Sequence, residues 1–131
     1  MLSIETVTIV GRFCPTPEIY DRHVRANFLL PTSSRCIGIL HGSEIEVIID
    51  EQYYLRGGIK PEELGALVEH ERVEIMAQDS DPHLAGTIAE YRFILKNWGL
   101  ERLHQYDACM RNLMGGRNDI RDFALAKALE V

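Results

Sequence analysis

With 131 residues, 46% of them apolar and 26% charged, the chain has the balance of one folded domain with a single core, not of a disordered or membrane protein. A net charge of −6 argues against a general nucleic-acid binder, which needs a positive face to displace counterions from phosphates. No apolar run approaches the roughly 20 residues of a bilayer span, and the start "MLSIETVTIVGR" lacks the marks of a signal peptide. The three cysteines, Cys14, Cys36 and Cys109, have no metal spacing and read as reduced packing residues of a cytoplasmic protein.

The β-branched run "IETVTIV" (Ile4–Val10) predicts a strand ended by Gly11. In "CPTPEIY", Thr16 and Pro17 can open a helix. "DRHVRANFLL" fits two templates: Val24, Ala26, Phe28 and Leu30 alternate as in a strand, while Tyr20, Val24 and Phe28 match a helix. Pro31, directly after, tips the reading toward a strand from Val24. Two β-rich runs flank "HGS" in "RCIGILHGSEIEVIIDEQYYL", which predicts a hairpin. In its second run Ile45, Val47 and Ile49 alternate with Glu46, Ile48 and Asp50.

"RGGIKP" breaks that strand, and Pro61 suits the first turn of a helix running to about Gln78. Asp81 as a cap and Pro82 at the first position start a second helix, which continues to about Trp98 and stops at Gly99. A third spans about Leu100 to Met114, closed by Gly115 and Gly116, with Leu103, Tyr106, Met110 and Leu113 as its core face. The last follows a cap at Asn118 or Asp119. Strands first and helices after make an α+β fold, a small antiparallel or mixed sheet followed by three to four helices. They form one domain over 1–131, with the sheet at about 1–56 and the helical part at about 60–131.

The first long helix carries an anomaly. At about 100° per residue, Leu64, Leu67, Val68, Glu71 and Ile75 share one sector, so a glutamate lies inside the apolar stripe. His70 and Glu74, at i and i+4, stack on one flank of it, and Gln78 extends their line. A buried carboxylate needs a partner. One candidate is an arginine such as Arg92 or Arg102; the other is water on a metal held by His70 and Glu74. On the next helix His83 and Glu90 are two turns apart, in phase with Thr87 and Ile94, whereas Leu84, Ile88, Tyr91 and Leu95 form a separate stripe. An antiparallel pairing sets His83 near Glu74 and Glu90 near His70, so four potential ligands converge on one seam. The remaining histidines, His23, His41 and His104, read as surface or packing residues.

"HERVE" (His70–Glu74) resembles the active-site helix of the zincin metallopeptidases, whose signature is H-E-x-x-H. Zincins place that helix after a small sheet whose edge strand binds an extended substrate, and "EVIIDEQYYL" stands in that place. In the gluzincin branch a glutamate of the following helix is the third ligand, a role that Glu90 matches. The layout "HERVE … HLAGTIAE" is similar to small zincin-like proteins of phages and bacteria with H-E-x-x-E. The resemblance covers roughly Ile45 to Glu90. It implies a metal-dependent hydrolase of peptide or protein substrates, with Glu71 as general base and metal ligands drawn from His70, Glu74, His83 and Glu90. Substrate would lie along the strand near Ile49 and Tyr53. The departure is Glu74 in place of the second histidine. Zinc is the first expectation, and because Glu74 makes the site richer in carboxylate, iron or manganese are the alternatives. The competing reading is a non-catalytic binding or assembly protein with a structural or vestigial metal site; a nuclease is disfavoured by the charge.

Overall fold

The computed structural model describes residues 7–27, 34–78, 81–114 and 118–130. Strands β1 (Thr8–Cys14), β2 (Cys36–His41) and β3 (Glu44–Asp50) form a mixed sheet in the order β1-β3-β2. β3 runs parallel to β1 and antiparallel to β2, to which the Gly42–Ser43 turn joins it. Gly42 takes φ +59° there, a left-handed value that glycine adopts without strain. The helices are α1 (Pro17–Asn27), α2 (Glu51–Arg56), α3 (Gly65–Met76), α4 (Pro82–Trp98), α5 (Leu100–Met114) and α6 (Asp119–Ala128). The fold is α+β, with the sheet N-terminal to the main helical layer, as expected.

β3 is buried on both faces. Ile45, Val47 and Ile49 join the main core, where burying each contributes about 1.5–3 kcal/mol. On the other face Ile48 packs with Cys14, Tyr20 and Val24 beneath α1. The strand thought to offer an edge to a ligand is the central one, with neighbours on both sides. The segment from Val24 is helical: Tyr20 and Val24, one turn apart, bury together against Ile48, so helical spacing prevails over alternation. The Ile19 N–H donates to Thr16 Oγ1 (3.3 Å), the opening expected at Thr16–Pro17. β1 does not end at Gly11 but continues to Cys14. Residues 4–6 of the expected first strand, and residues 28–31 with Phe28, Leu30 and Pro31, lie outside the described residues.

Glu51 to Arg56 is helix, not strand. The Tyr53 N–H donates to Asp50 Oδ1 (3.3 Å), so the last residue of β3 caps α2 and turns the chain at once. A 3₁₀ turn, Pro61–Leu64, precedes α3, which is shorter at both ends than the expected span to Gln78. α4 starts as expected, with the Leu84 N–H donating to Asp81 Oδ1 (3.0 Å), and stops at Gly99. α4 packs on α3, α5 and α6, and Glu90, Tyr91 and Ile94 are buried at its centre. Among the described residues no helix is long and apolar enough to cross a membrane.

α3 lies between β2 and α4, and two glycines let it approach both. A Cβ on Gly38 would stand 3.0 Å from Glu71 Cβ and 2.8 Å from Ile75 Cδ1. A Cβ on Gly86 would stand 2.7 Å from the His70 carbonyl oxygen. Any larger residue at either place pushes the His70–Glu71 turn aside, because packed interiors hold no slack of that size.

Candidate metal centre

The seam between α3 and α4 gathers His70, Glu74 and His83. One donor atom from each lies within 4.8 Å of the other two. His83 Nδ1 is 2.9 Å from Glu74 Oε1, and His70 Nε2 is 3.9 Å from the same oxygen. The two imidazoles meet edge to face with centroids 5.1 Å apart. Glu71 faces the same nitrogen of His70, with Oε2 at 3.7 Å from Nε2. The helices run antiparallel, as these pairings require: 74 meets 83 and 70 meets 90.

Glu90 stands behind the ring, not among these donors. Its Oε1 is 2.8 Å from His70 Nδ1. Its Oε2 accepts the Tyr106 hydroxyl (2.7 Å) and Arg121 Nη1 (3.3 Å). Glu90 is only 1% exposed, so this is a buried carboxylate with every oxygen engaged. Of the two expected third ligands, the geometry brings His83 to the group and sets Glu90 on the far side of His70, orienting it.

The charges follow from these partners. Burial pushes Glu90 upward, but Arg121, His70 and Tyr106 outweigh it and bring its pKa down to about 2. Burial would lower His70, yet the carboxylates Glu74, Glu90 and Glu71 raise it to about 10. The contacts to His70, and then His83, pull Glu74 down to about 2 against its own desolvation. Glu71 behaves oppositely: desolvation, with Glu74 and Glu90 nearby, raises it to about 7 although His70 opposes this. An ionised Glu90 can only accept, so Nδ1 of His70 carries a proton and Nε2 is the nitrogen left for a metal.

Glu71 does not sit in the core. Its side chain is 12% exposed, at the edge of the stripe that Leu64 and Leu67 bury. The arginines proposed as partners are engaged elsewhere. Arg102 pairs with Glu62 and Glu63 (2.6 Å each), and Arg92 donates to the Lys127 carbonyl. The expected substrate contacts separate as well. Ile49 is fully buried in the middle strand, and Tyr53, on α2, donates its hydroxyl to the Leu113 carbonyl (2.8 Å). His41 is exposed beside Glu46 and His104 is exposed, as surface readings require; His23 is half-buried. All three cysteines are unpaired: Cys14 is buried, Cys36 and Cys109 half-buried.

The cluster opens into a cavity of about 450 Å³, walled by Cys36 and Ile37 of β2, Leu67, Met110, Ile120 and Arg121. Burial, then the charges of Glu71 and Glu90, pushes the Cys36 thiol well up, so it stays protonated. Sequence reasoning passed over Arg121 and the role of Tyr106. Arg121 shares a helix face with Ala124 and Ala128, three and seven residues on, and all three are buried. An arginine in phase with two buried alanines was the available signal. Compared with known proteins, the chain matches no family model, no curated protein and no solved structure.

His70, Glu74 and His83 could together hold a metal ion: with Glu90 behind His70, the set is two imidazole nitrogens and one carboxylate. The carboxylates already stabilise a positive charge at Nε2 of His70, the place where a cation would replace a proton.

Proposed function

We propose that the chain is a metal-dependent hydrolase, a small zincin-like metallopeptidase in which His70, Glu74 and His83 hold a divalent ion and Glu71 is the general base. The observation that carries it is a carboxyl with a pKa raised to about 7, next to three convergent metal donors at one cavity. The two-nitrogen, one-oxygen set is one that zinc takes, with iron or manganese the alternatives. Bound there, the ion would supply Lewis acidity to a carbonyl and acidify a water. Glu71, balanced between its two protonation states near neutrality, takes the proton of the attacking water and passes it to the leaving amine. Glu90 keeps His70 from rotating throughout. An extended peptide would add to β2, the edge strand nearest the cavity, and not to β3. We place the protein in the cytoplasm, in keeping with three unpaired thiols.

The test is the metal content of protein purified without a histidine tag, beside His70→Ala. If both are metal-free and equally stable, the metal reading fails. Glu71→Gln should retain the ion and lose hydrolysis of a mixed peptide library by about 10²–10⁴-fold; undiminished cleavage removes Glu71 from the mechanism.

One observation favours a second reading, a binding or assembly protein with a structural or vestigial site. Among the described residues no buried side-chain nitrogen or oxygen lacks a hydrogen-bond partner, so no orphaned buried polar atom calls for an ion. Metal retained without any hydrolysis, in the wild type as in Glu71→Gln, would select this alternative.

A further inference from the structure

Among the described residues, Arg121 is the one charged side chain lining the cavity to which the proposed chemistry assigns no part. It is 9% exposed and belongs to α6, far in sequence from the metal donors. Its Nη1 donates to Glu90 Oε2 (3.3 Å) and to the Tyr91 hydroxyl oxygen (3.2 Å), and the guanidinium lies 5.6 Å from the centre of the Tyr91 ring. The Tyr91 hydroxyl in turn donates to Asp107, whose carboxylate Arg111 Nε grips at 3.0 Å to each oxygen. The arginine is therefore anchored by Tyr91 of α4, which Asp107 of α5 holds in turn.

A carboxylate with one free oxygen can rotate about its Cγ–Cδ bond and exchange the oxygen it offers. Glu90 is denied that freedom, because Tyr106 and Arg121 together hold Oε2 and leave Oε1 opposite His70 Nδ1. We propose that Arg121 is a positioning residue of the site: by clamping Oε2 of Glu90 it fixes Oε1 on the Nδ1 proton of His70 and so presents Nε2 to Glu74 and His83. Metal-site histidines depend on such outer partners for tautomer and ring orientation, commonly at about 10–100-fold in affinity. An arginine suits this place better than lysine, because its planar fork is pre-organised and less conformational freedom is lost for each hydrogen bond it makes.

The inference deepens the proposed metal site and takes from it one of two readouts. The first needs no metal. A histidine Nδ1 proton buried against a carboxylate resonates far downfield in proton NMR and exchanges slowly, and Glu90→Gln assigns it by shifting it. Arg121→Met should broaden or abolish this signal, and Arg121→Lys should keep it with faster exchange. The second readout is zinc affinity by chelator competition. Arg121→Met should weaken it by about 10–100-fold and Arg121→Lys by less. A folded Arg121→Met protein that keeps both the proton signal and its zinc affinity within about two-fold overturns the proposal. If the methionine variant does not fold, the lysine variant decides alone, and exchange identical to wild type overturns it. Should the wild type take up no zinc, the metallopeptidase reading falls while the proton signal still judges the role of Arg121.

Discussion

Glu90 and Glu71 flank the same imidazole, and the protein holds them in opposite states. Glu90, on the closed side, is almost wholly buried yet ionised, with a pKa brought down to about 2. Glu71, on the open side, is more exposed yet raised to about 7. Burial penalises the charge of both, so burial does not decide the outcome. The partners do. Glu90 meets Arg121, Tyr106 and His70, whereas Glu71 meets His70 with Glu74 and Glu90 pressing the other way. One side of His70 is built to hold a ring still, and the other is built to hold a proton loosely.

The largest effect should come from breaking the closed side. Glu90→Ala leaves His70 and Arg121 as buried cations without their shared anion and the Tyr106 hydroxyl without its acceptor. Removing one member of a buried ionic group costs about 3–5 kcal/mol, chiefly through the charges left behind. Denaturant unfolding of the metal-free protein measures it. A loss under about 1 kcal/mol would mean that water or a side-chain rearrangement compensates these cations, and the contrast with Glu71 would dissolve.

The open side should declare itself through pH. In the fold Glu71 keeps its proton to about 7, but once unfolded it releases it near 4.5. Between those values the folded state binds more protons, so its stability falls as pH rises. The slope is about 1.4 kcal/mol per pH unit, on the order of 3 kcal/mol over the whole range. The neighbours leave part of this window clear. Glu90 and Glu74, lowered to about 2, contribute stability that is complete above 4.5 and lost as pH falls toward 2. His70, raised to about 10, contributes stability that is complete below 6.5 and lost as pH rises toward 10. From 4.5 to 6.5 only Glu71 among the four changes the balance. Unfolding of the metal-free protein over that range should therefore slope downward in the wild type and be nearly flat in Glu71→Gln. Parallel slopes would show that Glu71 ionises normally.

The two sides also differ in how far the sequence disclosed them. The open side is local: His70, Glu71 and Glu74 lie on one helix turn, and His83 follows after a cap that Asp81–Pro82 announces. Helical phasing was enough to bring them together. The closed side depends on tertiary placement. Glu90 was in phase with His83, but phase alone could not show that α6 delivers an arginine to it, a contact that with the Tyr106 hydroxyl occupies its second oxygen behind His70. The strand errors have a similar root. Tyr53 and Tyr54 suit a strand, but Glu51, Gln52 and Leu55 suit a helix, and the Asp50 side chain settles the segment as α2 by capping it. Val24 alternates with its neighbours, yet contact with Tyr20 and Ile48 settles it as helix.

The smallest effect on stability, and the sharpest on chemistry, belongs to His83. Its side chain is 55% exposed and its bond to Glu74 is a surface contact, so His83→Ala should change the stability of the metal-free protein by no more than about 0.5 kcal/mol. A surface histidine would end there. A ligand would not: the variant keeps His70 and Glu74 but loses one of two nitrogen donors, and zinc uptake should fall far more than folding does. Comparing zinc affinity with unfolding free energy in the same variant separates the roles. Unchanged affinity would remove His83 from the donor set and leave a pair of ligands too few for a tetrahedral ion. A fall in affinity with folding intact would make His83 a metal donor that the fold itself scarcely needs.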